Sequence, residues 1–178
     1  MTRHLASFAI ATLTALSLPV GLSAQPPRTI NGSGTFASVV TNPSEPLDPP
    51  CVLKVVRAGT VTFSGIIQAK DKGKLESTTL SNRCGEVPQG PVVVRYTLDE
   101  ATIDGKTGAV VIIQRGTFQG AIDSPDGARV TSHMEIWGVS GELRGMLGYG
   151  IVTSRSVPTG TTNTYWCELE FRQPDPEK

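Results

Sequence analysis

From residue 92 to residue 137, apolar and polar side chains alternate with a period of two, and short glycine-bearing turns interrupt the alternation. In "PVVVRYTLD" (91–99), Val92, Val94, Tyr96 and Leu98 share one face, and Val93, Arg95, Thr97 and Asp99 share the other. "AVVIIQRGTFQGAI" (109–122) is rich in β-branched residues. "RVTSHMEIW" (129–137) sets Val130, Ser132, Met134 and Ile136 against Arg129, Thr131, His133, Glu135 and Trp137. "TYWCELEF" (164–171) repeats the pattern, with Tyr165, Cys167, Leu169 and Phe171 on one face. Turns at "DGKTG" (104–108) and "SPDG" (124–127) join these segments. Successive side chains of a strand point to opposite faces, so the pattern predicts an antiparallel meander. A set of about eight strands with one apolar face must close on itself or pair as a sandwich, because an open edge templates aggregation. No residues remain for a helical layer to cover that face. The expected fold is therefore all-β, a single closed antiparallel barrel of about eight strands.

The first half of the chain reads less regularly. "GTFASVV" (34–40) is a short first strand, and "TNPSEPLDPP" (41–50) is too rich in proline for a helix or a central strand. "CVLKVVRAGTVTFSGIIQ" (51–68) is one long bent strand or a hairpin turning at Ala58-Gly59. "DKGK" (71–74) turns the chain into "LESTTL" (75–80), and "SNRCGEVPQGP" (81–91) is a loop. The domain limits follow: a Pro-rich segment over 25–50 with its short strand, a barrel over 51–172, and a disordered tail over 173–178.

The first 24 residues have a different character. Arg3 is followed by an apolar run from Leu5 to Leu18, a break at Pro19 and Gly21, and small residues at Ser23 and Ala24. That order is a secretory signal peptide cut after Ala24, and the run stops short of the ~20 apolar residues that span a bilayer. No membrane anchor is expected after cleavage, so the protein should be secreted or periplasmic. Cleavage leaves 154 residues, with 15 Lys and Arg against 16 Asp and Glu. Without a basic run, nucleic acid is not an expected partner. The sequence leaves room for a homo-oligomer.

Three cysteines remain, Cys51, Cys84 and Cys167, and an exported chain of this kind is expected to hold one disulfide and one free thiol. All three pairings are open, but the irregular flanks of Cys51 and Cys84 favour that pair over the strand-borne Cys167. No metal or other cofactor is expected: His133 is the one histidine after cleavage, and no Cys-x-x-Cys spacing occurs.

"GVSGELRGMLGYG" (138–150) holds five glycines in thirteen positions. A phosphate-binding loop needs Lys-Ser or Lys-Thr after its last glycine and then a helix, whereas "IVTS" continues as a strand. The glycines are therefore read as structural. Gly138 and Gly141 serve a tight connection with positive φ, and Gly145, Gly148 and Gly150 a sharp bend or the close approach of another chain segment. A large residue of the next strand, such as Trp137 or an aromatic of "YWCELEF", is the expected neighbour.

"ATIDGKTGAVVIIQRGTFQG" (101–120), "GVSGELRGMLGYGIV" (138–152) and "YWCELEF" (165–171) together resemble the bacterial domain-of-unknown-function family 3224. The glycine hairpin is also similar to elements of dirigent proteins and allene oxide cyclases. The resemblance covers about residues 95–172 and implies a small closed barrel, allene oxide cyclase-like or calycin-like. Its motifs are glycines and turns, so it speaks for fold. The chain departs from it in the Pro-rich segment, the cysteines and "SVPTGTTN" (156–163), and no position matches the cyclase or dirigent catalytic residues. An isomerase or cyclase activity is implied by analogy alone.

Two sets of residues could carry function. His133 and Glu135, two apart on one strand, form an acid/base pair with Arg115 as anion stabiliser, if their face lines a site. The opposite face is more apolar and should point inward, which puts the three on the outer wall. The inward face carries Tyr96, Gln114, Ser132 and Tyr165 beside Met134, and such a lumen suits a small hydrophobic ligand. Hydroxyls and amides alone in the lumen would favour a binding protein, and an ionisable group there an enzyme.

Overall fold

The computed structural model describes residues 27–40, 45–46, 51–69, 73–85, 87–121, 126–157 and 160–171. The expected signal peptide, most of the Pro-rich connection and residues 172–178 lie outside the described residues. Eight strands close into an antiparallel barrel: β1 (Arg28–Val40), β3 (Val52–Gly65), β5 (Gly73–Asn82), β6 (Gln89–Ile103), β7 (Lys106–Gln119), β8 (Ala128–Gly138), β9 (Leu147–Val157) and β10 (Gly160–Phe171). Each pairs with the next from β5 to β10, β3 pairs with β5, and β1 closes the ring by pairing with both β10 and β3. A short β2 (Glu45–Pro46) lies outside the ring against β3, and β4 (Ile67–Ala69) continues the β5 row along β6. Among the described residues, the only helical segment is one 3-10 turn, Gly141–Leu143, and no helix is long and apolar enough to cross a membrane.

Residues 51–68 form a bent strand rather than a hairpin at Ala58-Gly59. The first part of β3 pairs with β5, its last part pairs with β1, and Gly59 to Val61 have partners on both sides. At Gly65, φ is +101°, and the chain swings from β3 into β4 there. The first strand begins at Arg28, six residues before the expected start, because Arg28 to Ser33 pair with β10 from Phe171 to Trp166. Thr161, Thr162 and Asn163 extend β10 against β9, as threonine's β-branched side chain favours. Asp104-Gly105 is a two-residue hairpin turn with φ of +52° and +76°, a shape that asparagine, aspartate and glycine tolerate best.

Both faces fall as the alternation predicts. Val92, Val94, Tyr96, Leu98, Val110, Ile112, Gln114, Ser132, Met134, Ile136, Tyr165, Cys167 and Leu169 are all buried inside the barrel. Cys51 and Cys84 are bonded, with Cα atoms 5.1 Å apart, and Cys167 is the buried free cysteine.

The glycine-rich run closes one end. After β8 the chain makes the 3-10 turn and drops Leu143 and Met146 into the core, where they are 0% and 1% exposed. Backbone bonds hold the fold of this plug: Gly138 N–H to Met146 O at 2.8 Å and Gly145 N–H to Gly138 O at 3.0 Å. The Ser140 hydroxyl accepts from Ala109 N–H (3.1 Å) and the Glu142 carboxylate from Thr107 N–H (3.1 Å), pinning it to β7. Gly141 and Gly145 have φ of +62° and +84°, the left-handed region that glycine enters at least cost. Gly138 differs from expectation: its φ is ordinary, and its requirement is space, since a side chain would strike the Leu143 carbonyl.

Candidate functional site

The barrel is plugged at one end and hollow at the other. At the end bearing the Cys51–Cys84 bridge, a cavity of about 840 Å³ opens between the strands. Its apolar and aromatic lining comprises Phe36, Val92, Val94, Tyr96, Phe118 and Val130. Ser77, Thr79, Ser81, Ser154 and Ser156 add hydroxyl-bearing side chains to the lining, Ser77 and Thr79 directly across the β5–β6 pair from Val94 and Val92. This volume is in the range of pockets that take one drug-sized molecule.

The floor is a layer of aromatic rings and one polar chain. Phe36 stacks on Phe63 (centroids 5.0 Å), and Tyr96 meets both edge-on at 5.5 and 5.4 Å. Offset and edge-on ring pairs of this kind add to the area they bury. The Tyr96 hydroxyl donates to Gln114 Oε1 (2.8 Å), Gln114 Nε2 donates to Ser132 Oγ (2.7 Å), and that hydroxyl donates to Val152 O (3.5 Å). Asn163 Nδ2 donates to Phe36 O at 2.9 Å. Among the described residues no buried side-chain polar atom lacks a partner. The polar lumen groups are thus satisfied internally, and a ligand would meet a prebuilt floor.

Tyr96 and Gln114 line the cavity, whereas Ser132, Met134 and Tyr165 do not. Ser132 is the third link of the floor chain. Met134 lies on the side of the plug, packed into the core at 1% exposure. Tyr165 closes the barrel at the β3–β4 corner: its hydroxyl accepts from Ile67 N–H (3.1 Å) and donates to Ser64 O (2.9 Å). That corner has no side-chain period, so the alternation shows Tyr165 facing inward and nothing of its partners.

His133, Glu135 and Arg115 stand on the outer wall. Arg115 faces His133 across the β7–β8 pair, and its guanidinium bonds Glu135 at 3.0 Å with both side chains well exposed. Such a pair contributes about 0–1 kcal/mol.

The two charged lining residues, Arg57 and Arg83, are not among the expected site residues. Arg57 has the same strand parity as Val55, Val61 and Phe63, all of them buried. That parity is the signal that could have found it. Arg83 follows the end of β5 on the parity of Ser77, Thr79 and Ser81, where a loop was expected to break the pattern.

Burial shapes the acids inside. Desolvation raises the Tyr96 hydroxyl, pushes Cys167 from an ordinary 9.0 to about 12, and pushes Tyr165 from 10.0 to about 12 against the opposing Ile67 backbone bond. A pKa raised on folding leaves stability intact below the unfolded value, where both states keep the proton. Above it, the unfolded chain ionises first, so stability falls as pH rises. The urea midpoint should therefore decline steadily from about pH 9 to about pH 12, and Cys167→Ala should flatten the first part of the decline. A midpoint constant over that window would contradict the burial of these three groups.

Comparison of the chain with protein-family models, with curated proteins and with solved structures finds no match in any of the three.

Proposed function

We propose that this chain is an exported barrel protein that holds one small, largely apolar molecule in its open end. The observation that carries this reading is the cavity of about 840 Å³ above a floor whose polar atoms are already bonded to one another. A site with a preformed floor spends little free energy on reorganising when a ligand enters. Export is supported by the leader-like opening residues and by the Cys51–Cys84 bridge, which suits an oxidising compartment. The likeness to domain family 3224 and the allene oxide cyclases agrees with a lumen-binding barrel. The alternative is an isomerase or cyclase of allene oxide cyclase-like or dirigent-like type, acting on a lipid-like or polyketide-like substrate. The cup's polar groups are hydroxyls, amides and guanidiniums, which hold a ligand but do not pass protons readily at neutral pH. That chemistry supports binding over turnover.

Thr78 and Thr79 give a direct test, because neighbouring strand residues point to opposite faces. Thr79 lines the cavity, and Thr78 is exposed outside. The neutral dye N-phenyl-1-naphthylamine should brighten on saturable binding to the oxidised protein. Thr79→Trp fills the cup and should weaken binding by about tenfold or more, ~1.4 kcal/mol. Thr78→Trp should leave binding unchanged. No saturable binding, or equal behaviour of the two variants, would exclude the lumen as the site.

A further inference from the structure

Among the described residues, the fixed charges that line the cup are both positive. Its lining includes Arg57 and Arg83 and, among the described residues, no aspartate or glutamate. The ion pairs seen among the described residues, Arg28–Asp104, Lys74–Asp99 and Arg115–Glu135, involve neither arginine. A guanidinium keeps its proton and offers several N–H donors to an approaching anion.

The fold fixes the backbone of both arginines. Arg57 lies directly across the β3–β5 pair from Ser77, so its side chain rises beside the ladder of Ser77, Thr79 and Ser81 hydroxyls. Arg83 sits at the rim, where its N–H donates to Cys51 O at 2.7 Å and the next residue is bridged to Cys51. Val94 stands across the β5–β6 pair from Ser77, and the Phe36 and Tyr96 rings form the floor. The cup is therefore polar and positive on one wall near its mouth, and apolar at its floor.

From this arrangement we propose that the occupant is an amphipathic organic anion: an apolar body seated on the aromatic floor, with one acidic head, a carboxylate or sulfonate, turned towards the Arg57–Arg83 wall. This rests on the cup being the binding site and goes beyond it by fixing the sign and position of the ligand's charge. An acid loses more hydration than the matching alcohol on entering the cup, so a preference for the acid requires the guanidiniums to repay that loss.

Matched competitors separate charge from apolar burial. Decanoate and decanol would each be titrated against bound N-phenyl-1-naphthylamine at low ionic strength. Decanoate should displace the dye at a concentration about tenfold or more below decanol, a gap of ~1.4 kcal/mol. The double variant Arg57→Gln/Arg83→Gln should abolish the gap while still binding the neutral dye and decanol saturably, which shows that it is folded. About 0.5 M NaCl should narrow the gap in the parent protein, as screening of exposed charges requires. Equal displacement by acid and alcohol, or a gap that survives the double variant, would overturn the proposal and leave the cup as a site for neutral molecules. Displacement by inorganic phosphate as effectively as by decanoate would also overturn it, because the site would then read charge without an apolar body. If the dye itself does not bind, the lumen reading falls and this proposal falls with it.

Discussion

Serine at both Cys51 and Cys84 should lower the stability of the oxidised protein by about 3–4 kcal/mol, the entropy of closing a loop with the sequence separation of 33 residues between them. For a domain of this size the melting temperature should drop by roughly 10 °C. The cup should suffer first. Pairing of β1 with β3 ends at Val40 opposite Gly59, so, among the described residues, 52–58 of β3 have β5 on one side and the two-residue β2 on the other. The bridge pins the free end of this β3–β5 wall, where Val52 pairs with Asn82. Loss of dye binding is therefore expected at temperatures where the plugged end is still folded. Reductant should reproduce both effects in the parent protein and change nothing in the variant. A melting shift below about 2 °C would mean that the hairpin itself supplies the closure and the bridge adds little.

Much of the barrel wall is legible from local chemistry because burial there obeys a period of two. Every inward assignment on β6, β7, β8 and β10 that rests on four or more alternating residues ends in a buried or half-buried side chain. Where the alternation is diluted by small residues, the reading stops short. Arg28 to Ser33 carries one large apolar residue, Ile30, and becomes a strand only through its ladder with β10. The bent β3 hides its parity behind Gly59, which is why Arg57 escapes notice although Val55, Val61 and Phe63 bracket it.

The hollow end is harder to foresee. Strand patterns say which side of a sheet is inside and nothing about height along the barrel. Height decides that Met134 packs in the core while Gln114 forms a floor. It also depends on the plug, whose seating of Leu143 and Met146 follows from turn geometry and bonds to Thr107 and Ala109 far away in sequence. Tyr165 illustrates the same limit. Its ring position is periodic, but its hydroxyl partners, Ser64 and Ile67, come from a corner created by Gly65.

Valine at both Gly148 and Gly150 should destabilise the protein by about 3 kcal/mol or more through overpacking, at the upper end of what single core insertions cost. Both glycines are buried, so their missing side chains would point into the barrel. In register, Gly148 sits between Ile136 and Leu169, and Gly150 between Met134 and Cys167. The crowding is thus aliphatic and not the expected Trp137 or another ring: Trp137 is one residue out of phase and faces the other way. A Cβ at Gly148 would overlap the Leu169 side chain and come within 3.2 Å of the Ile136 Cβ. At Gly150 it would strike the Trp166 carbonyl and lie 2.6 Å from the Met134 Cε and 2.9 Å from the Cys167 Cβ. A methionine end can swing away, but a backbone carbonyl in a β ladder cannot, so Gly150→Val should be the costlier single change. Met134→Ala should recover only part of that cost, the remainder belonging to the carbonyl. Both positions lie on the plug side of the floor, so the folded fraction of each variant should bind the neutral dye as the parent does. Thermal melts and dye titrations decide it: an unchanged midpoint with lost binding would make these glycines contacts of a ligand site instead of room for Leu169 and Met134.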